Sequence, residues 1–338
     1  MVKIWVEKLI TIVGLPTAQI RQLAESLTFL NPEYINKVKR REDLKETKKH
    51  IKLFKYSNET QVLQIPRGHF EYLLNLLKQH RIQYELTFLT GKQEVVYPKH
   101  SVILRPYQVK PVEDVITKFK SSPSFILESS AGSGKTVLAL YIANRMNQKT
   151  LWLTDRGILF NQAKDRIREF LNIPEEDIGE LVGTNWTIGK QITIGMIPTL
   201  YNRDLTELSK EFGLVIVDEC VLVPTKRCYK VLTNLAPTYT LGLTALAKRG
   251  DNLTDALFAI IGKVGIKIAP SGIIYPLVVT RPTNRTFIFK ERIHNTRKFL
   301  FDRAVARDGL RNKLIVDDIA LNNDKFTTII LGKLIPHI

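Results

Sequence analysis

One segment constrains the fold of this chain more than any other: Ser129-Ser130-Ala131-Gly132-Ser133-Gly134-Lys135-Thr136. It follows an apolar run, Ser124-Phe125-Ile126-Leu127, and precedes a stretch of helical character at residues 137–144. Strand, glycine-rich turn and helix in that order form a cradle for phosphate. Gly132 and Gly134 free the backbone to curl, so that successive N–H groups converge on anionic oxygens. The helix start adds partial positive charge. In such a loop Ser130, Ala131, Gly132, Ser133 and Gly134 line the nucleotide phosphates, Lys135 reaches the terminal ones, and Thr136 offers a hydroxyl to Mg²⁺. The strict pattern begins with glycine, and here that position holds Ser129.

A second segment turns nucleotide binding into a reaction. Leu214-Val215-Ile216-Val217-Asp218-Glu219 reads as a buried parallel strand ending in adjacent carboxylates. Ligand sites of open α/β sheets lie at the carboxyl ends of the strands, so both segments are expected at one edge. Asp218 suits Mg²⁺, and Glu219 suits the orientation and deprotonation of the attacking water. Lys135, Asp218 and Glu219 are therefore the candidate catalytic set, with Thr136 and Asp218 on the metal. Short apolar strands at residues 125–128, 150–154, 191–195, 214–218 and 239–244 alternate with helical stretches. That rhythm predicts an α/β fold with a parallel sheet.

A chain of 338 residues predicts two or three domains. Residues 1–98 read as a small α+β unit: a strand at 9–13, a helix from Pro16-Thr17 to 27, a strand at 62–65, an amphipathic helix at 68–80 and a strand at 82–89. Within it a basic run at residues 37–55 is expected as a loop or hairpin, either solvated or gripping a nucleic-acid backbone. Residues 99–272 carry the parallel sheet. Residues 273–338 open with an apolar stretch, continue through a basic helical one and reach a strand at 327–331. That is too short to close a second α/β domain, so the chain reads as cut short.

The charge balance points to a partner. Lys and Arg number 50 against 33 Asp and Glu, a formal net charge of +17, which favours a polyanion such as nucleic acid. The two cysteines, Cys220 and Cys228, lie in no metal-ligand pattern and fit a reducing compartment. No apolar run approaches the roughly 18 residues needed to span a bilayer, and charge interrupts the apolar residues of the first segment. A soluble cytoplasmic protein without a membrane partner is expected (host cytoplasm if viral), with a nuclear location left open.

With these motifs the chain resembles the superfamily 2 helicases and translocases, in particular the DExH branch with XPB-type translocases and phage UvsW-type helicases. The resemblance is densest from Arg105 to Gly250. It implies a RecA-like ATPase lobe preceded by an accessory DNA-binding domain and followed by the start of a second RecA-like lobe. Leu104-Arg105-Pro106-Tyr107-Gln108 resembles the family's adenine-reading segment, which implies Gln108 on the adenine edge with Arg105 and Tyr107 beside it. Thr154-Asp155-Arg156 with Gln162 is similar to a strand-gripping motif, and Thr199 stands where the next nucleic-acid contact is implied. Residues 311–322 and 326–331 resemble the opening helix and strand of the second lobe.

Two motifs depart from the family. Its Asp-Glu-x-His reads Asp218-Glu219-Cys220-Val221 here, and its Thr-Ala-Thr-Pro reads Thr244-Ala245-Leu246-Ala247. Valine and leucine side chains donate no hydrogen bond, so only Thr244 and Ala245 remain of the coupling path between hydrolysis and strand movement. The leading expectation is an ATP- and Mg²⁺-dependent helicase or translocase on duplex or branched DNA, with RNA the lesser partner. It would serve replication, recombination or repair, and a separate chain would supply the rest of the second lobe. An ATP-holding nucleic-acid-binding module without motor work is the alternative. A restriction-system translocase subunit ranks lower, for want of nuclease-type carboxylate clusters.

Overall fold

The computed structural model describes residues 1–130, 132–222, 226–268, 305 and 307–322. By its contacts the chain divides into two units, Met1–Val38 with Asp43–Ile273, and Lys39–Glu42 with Ile274–Ile338. The first unit holds a five-stranded sheet, an eight-stranded sheet and a two-stranded pair.

The smaller sheet is built from β1 (Val2–Val6), β2 (Ile10–Val13), β5 (Lys55–Ser57), β6 (Val62–Ile65) and β7 (Tyr84–Phe88), in the order β5-β6-β2-β1-β7. Residues alternate across a strand, so Val2, Ile4, Val6, Ile10, Ile12, Leu63 and Ile65 all turn to one buried face. Two helices cover that face. In α1 (Thr17–Ser26) the buried apolar residues are Ile20 and Leu23, and in α3 (Phe70–Gln79) Phe70, Leu73, Leu76 and Leu77, a three-and-four spacing that makes one apolar stripe. The α+β reading of this region holds. The basic run is the expected loop only at residues 41–49. It begins in the helix α2 (Pro32–Arg40) and ends in β4 (His50–Lys52), which pairs with β3 (Thr28–Leu30), and in β5, which pairs with β6. Lysine and arginine favour helices as much as loops, and a Glu33–Lys37 pair one turn apart supports this one.

The larger sheet has the order β11-β10-β12-β9-β13-β14-β8-β15. Its strands are β8 (Ser124–Ser129), β9 (Thr150–Thr154), β10 (Ile178–Val182), β11 (Asn185–Trp186), β12 (Ile192–Met196), β13 (Leu214–Val217), β14 (Tyr239–Thr244) and β15 (Val264–Ile268). All pairings are parallel except that of β10 with β11. The connecting helices include α4 (Pro106–Lys118), α5 (Lys135–Met146), α6 (Gly157–Leu171), α7 (Ile197–Tyr201), α8 (Lys226–Leu232) and α9 (Thr254–Ile261). The five expected strands are present. β10, β11 and β15 are additional, and glycine or charge interrupts the apolar pattern of β10 and β15 (Ile-Gly-Glu-Leu-Val, Val-Gly-Ile-Lys-Ile). This is the RecA-like α/β lobe the motifs imply.

The segment between the two sheets is strapped to the lobe. The Tyr97 hydroxyl meets Thr150 Oγ1 at 2.8 Å and the Gln191 carbonyl at 3.0 Å, and backbone bonds join Gly91, Gln93 and Val95 to residues 236, 149 and 147. The small domain docks at the amino-terminal edge of the large sheet. Arg67 donates to the carbonyls of Pro237 and Thr238, just before β14. Gly68 lies so close to the chain before β15 that a Cβ there would stand 2.3 Å from the Gly262 nitrogen. In the second unit, α10 (Gly309–Asn322) is capped by Asp308, whose Oδ1 accepts the amides of Leu310 and Arg311 at 3.1 and 3.2 Å. It covers the expected opening helix. The expected features at 270–279, 292–303 and 327–331 lie outside the described residues.

Candidate nucleotide site

Parallel β8 ends at Ser129, and the chain turns over it into α5. Gly132 and Gly134 take left-handed backbone, with φ of 76° and 85°, as a phosphate cradle requires. Serines brace the turn from within. Ser133 Oγ donates to the Ser130 carbonyl at 2.6 Å and meets Ser129 Oγ at 2.5 Å. The serine in place of the first glycine is thus part of the loop's scaffold. Ala131 lies outside the described residues.

The start of α4 holds the loop from outside. Gln108 is buried, its Oε1 accepting the Arg105 amide at 2.8 Å and its Nε2 donating to the Ser133 carbonyl at 2.9 Å. The Tyr107 hydroxyl donates to the same carbonyl at 3.2 Å, with Arg105 NH1 3.4 Å from that hydroxyl. Arg105, Tyr107 and Gln108 therefore converge on the Ser133 carbonyl. Through Nε2, Gln108 braces the phosphate loop, using one of the amide's two N–H groups.

The carboxylates stand two strands along from the loop, since β14 lies between β8 and β13. This order brings the loop, the 244–251 segment and Asp218-Glu219 side by side. The Asp218 amide donates to the Leu153 carbonyl at 2.9 Å, and Asp218 Oδ1 accepts the Glu219 amide at 3.0 Å. Glu219 has a φ of 47°, a left-handed conformation that costs a residue with a side chain about 1–3 kcal/mol and persists where its surroundings over-determine it. Burial, then the neighbouring Glu219, push the Asp218 acid up to about 6, while the Lys135 ammonium pulls the other way. Lys135 and Asp218 thus share one electrostatic site. The residues fit a hydrated divalent cation: crowded, partly desolvated carboxylates beside the Thr136 helix start are the donor set that hard cations take. Asp218 and Thr136 would hold it, and bound there it would neutralise charge on the phosphates.

The folded-state value of Asp218 lies above 3.8, so the folded chain holds a proton that the unfolded chain releases. Its stability contribution is complete below pH 3.8 and is lost as pH rises through about 6. A rise from 3.8 to about 6 corresponds to about 3 kcal/mol. Asp218→Asn is expected to raise the melting temperature of the nucleotide-free chain at pH 8 and to leave it unchanged at pH 3.5. Thermal melts of both chains across that range check it, and an equal shift at every pH would contradict it.

The other expected residues divide by exposure. Arg156 stands just before α6 and is exposed, as is Gln162 along the same helix. Thr154 is fully buried at the end of β9, its hydroxyl without a hydrogen-bond partner among the described residues, so it lies beneath the surface the other two present. The Thr199 hydroxyl accepts the Gly183 amide at 3.0 Å. Thr244 is buried and its Oγ1 accepts the Leu246 amide at 3.3 Å, while Ala245 is exposed. Three residues of the site were not singled out from the sequence: Glu128, Arg249 and Lys267. Glu128 Oε2 accepts the Ala247 amide at 3.0 Å and its Oε1 meets Lys267 Nζ at 2.6 Å. A carboxylate closing an otherwise apolar strand, Ser-Phe-Ile-Leu-Glu-Ser, was the signal available for it.

A parallel sheet with a phosphate loop on one strand and paired carboxylates two strands away defines a RecA-like P-loop lobe of the kind found in helicase cores. Comparison with known proteins agrees. The family described as Type III restriction enzyme, res subunit, matches residues 101–249. Protein 161L of Invertebrate iridescent virus 6, a helicase by name, is 31% identical over 260 residues, covering 72% of this chain and 56% of that protein. The DNA 3'-5' translocase XPB2 of Sulfurisphaera tokodaii is 30% identical over 218 residues, 64% of this chain and 45% of its own length. The UvsW helicase of bacteriophage T4 shares the fold, with a TM-score of 0.57 at 15% identity over 79% of this chain and 99% of that one. The chain resembles the superfamily 2 helicases of the UvsW and XPB kind. It spans about half the length of these two curated relatives.

Proposed function

We propose that this chain is the ATPase core of a superfamily 2 DNA helicase or translocase, acting on duplex or branched DNA in replication, recombination or repair. One observation carries the reading: the phosphate loop and the Asp218-Glu219 pair lie at the same edge of one parallel sheet, with Lys135 near enough to act on Asp218. ATP is held by the 129–136 loop with Mg²⁺ on Thr136 and Asp218. Glu219 takes the proton of the attacking water. The net charge of +17 and the exposed Arg156 and Gln162 support a backbone-directed, sequence-independent hold on DNA.

The test is ATP hydrolysis by the full chain without DNA and with single-stranded, duplex and forked DNA. DNA-stimulated hydrolysis is expected, with binding that weakens steeply as salt rises. Val221 and Leu246, which donate nothing where the family has histidine and threonine, favour a second reading, a nucleic-acid-binding module that holds ATP without motor work. Salt-sensitive DNA binding with no stimulation on any substrate would select that reading.

A further inference from the structure

The segment after β14 is fastened on both sides. On one side the Ala247 amide is held by Glu128, the residue before the phosphate loop begins. On the other, Arg249 NH1 donates to the carbonyl of Val221, in the turn that carries Asp218 and Glu219. Arg249 is itself fixed: its Nε and NH2 bond Asp251 Oδ1 and Oδ2 at 2.9 and 2.6 Å, and its amide donates to Thr254 Oγ1 at 2.9 Å. Asp251 Oδ1 also accepts the Leu253 amide at 3.1 Å at the start of α9, so the two-point clamp is anchored to a helix. The far end of this strut lands two residues beyond Glu219, which is in left-handed backbone. The turn between them is one short helical turn, Cys220–Leu222, closed by a 3.1 Å bond from the Leu222 amide to the Glu219 carbonyl.

We propose that Arg249 is a positioning residue for Glu219. By tying the Val221 carbonyl to the loop after β14, it makes through backbone the link that the Val221 and Leu246 side chains cannot make. Movement of the 244–251 segment is thereby passed to the hydrolytic carboxylate on one side and, through Glu128, to the phosphate loop on the other. The inference rests on the ATPase reading for its kinetic consequence. Its structural consequence stands apart from that reading.

Both are measured on the full chain with Arg249→Ala and Arg249→Lys. Backbone hydrogen exchange at residues 219–222 is expected to rise about tenfold or more in Arg249→Ala, with the amides of α5 unchanged and Arg249→Lys intermediate. With DNA present, kcat for ATP is expected to fall about tenfold while KM stays within about twofold, since the guanidinium is engaged by Asp251 and the Val221 carbonyl. In a Val221→His/Leu246→Thr background, where side chains capable of a direct link are restored, the same arginine substitution is expected to cost less than about threefold. Unchanged exchange at 219–222 in Arg249→Ala overturns the proposal, as does a raised KM with kcat intact. If the parent chain hydrolyses no ATP with any DNA, the functional reading falls and the exchange result still decides the role of Arg249.

Discussion

Lys135→Ala is expected to lower ATP hydrolysis about 10²–10³-fold, the usual effect of deleting one preorganised charge aimed at a reacting phosphate. The fold should survive, because Lys135 is half-exposed at the first position of α5 and the loop is braced by Ser129, Ser133, Tyr107 and Gln108. A second effect has a definite sign. Lys135 opposes the upward push on the Asp218 acid, so its removal moves that acid further above about 6. The stabilisation given by Asp218→Asn should therefore level off at a higher pH, and at a larger value, in the Lys135→Ala background. Hydrolysis assays with thermal melts over pH test both. A full rate in Lys135→Ala would remove the phosphate loop from the reaction.

Arg67→Ala is expected to have the largest effect on stability. The guanidinium is buried where the small domain meets the large sheet, and burial lowers its pKa to about 10. It donates to two backbone carbonyls, of Pro237 and Thr238, and meets no carboxylate among the described residues. Truncation leaves both carbonyls unpaired and opens a cavity, at a cost of about 3 kcal/mol or more. Because these bonds join the accessory domain to the lobe, the loss should show as an early unfolding step confined to residues 1–88. Urea denaturation with limited proteolysis reads this directly. Arg67→Lys recovers part of the loss by donating to one carbonyl. A single unshifted transition in Arg67→Ala would show that the docking rests on the apolar contacts alone.

The site was more legible than its wiring. The strand–loop–helix at 124–146 and the strand ending in Asp218-Glu219 were readable because each motif is local: glycine at positive φ and an apolar run before charge leave a mark in consecutive residues. The strands at 150–154 and 239–244 were found to the residue for the same reason. What escaped were features whose partners lie far apart in the chain. Glu128 looks like an odd carboxylate in a strand until Ala247 and Lys267 arrive beside it. Gln108 was read for its motif, yet the fold brings it under Ser133. The basic run was read by composition, which gave its loop at 41–49 but cannot mark the helix before it or the short strands after it.

Two features came from the order of residues alone: a glycine-rich phosphate-type loop after one strand, and paired carboxylates at the end of another. Local backbone geometry and residue type suffice for both, because a phosphate loop works through its own amides. The tertiary structure decided which segment lies between loop and carboxylates. Strand order sets that, and order in a parallel sheet is chosen by packing of the crossover helices rather than by any one strand. Placing β14 between β8 and β13 puts Arg249 within reach of the Glu219 turn and Ala247 within reach of Glu128. The small domain's attachment through Arg67 and Gly68, at the sheet edge opposite the nucleotide loops, was likewise decided only by the fold.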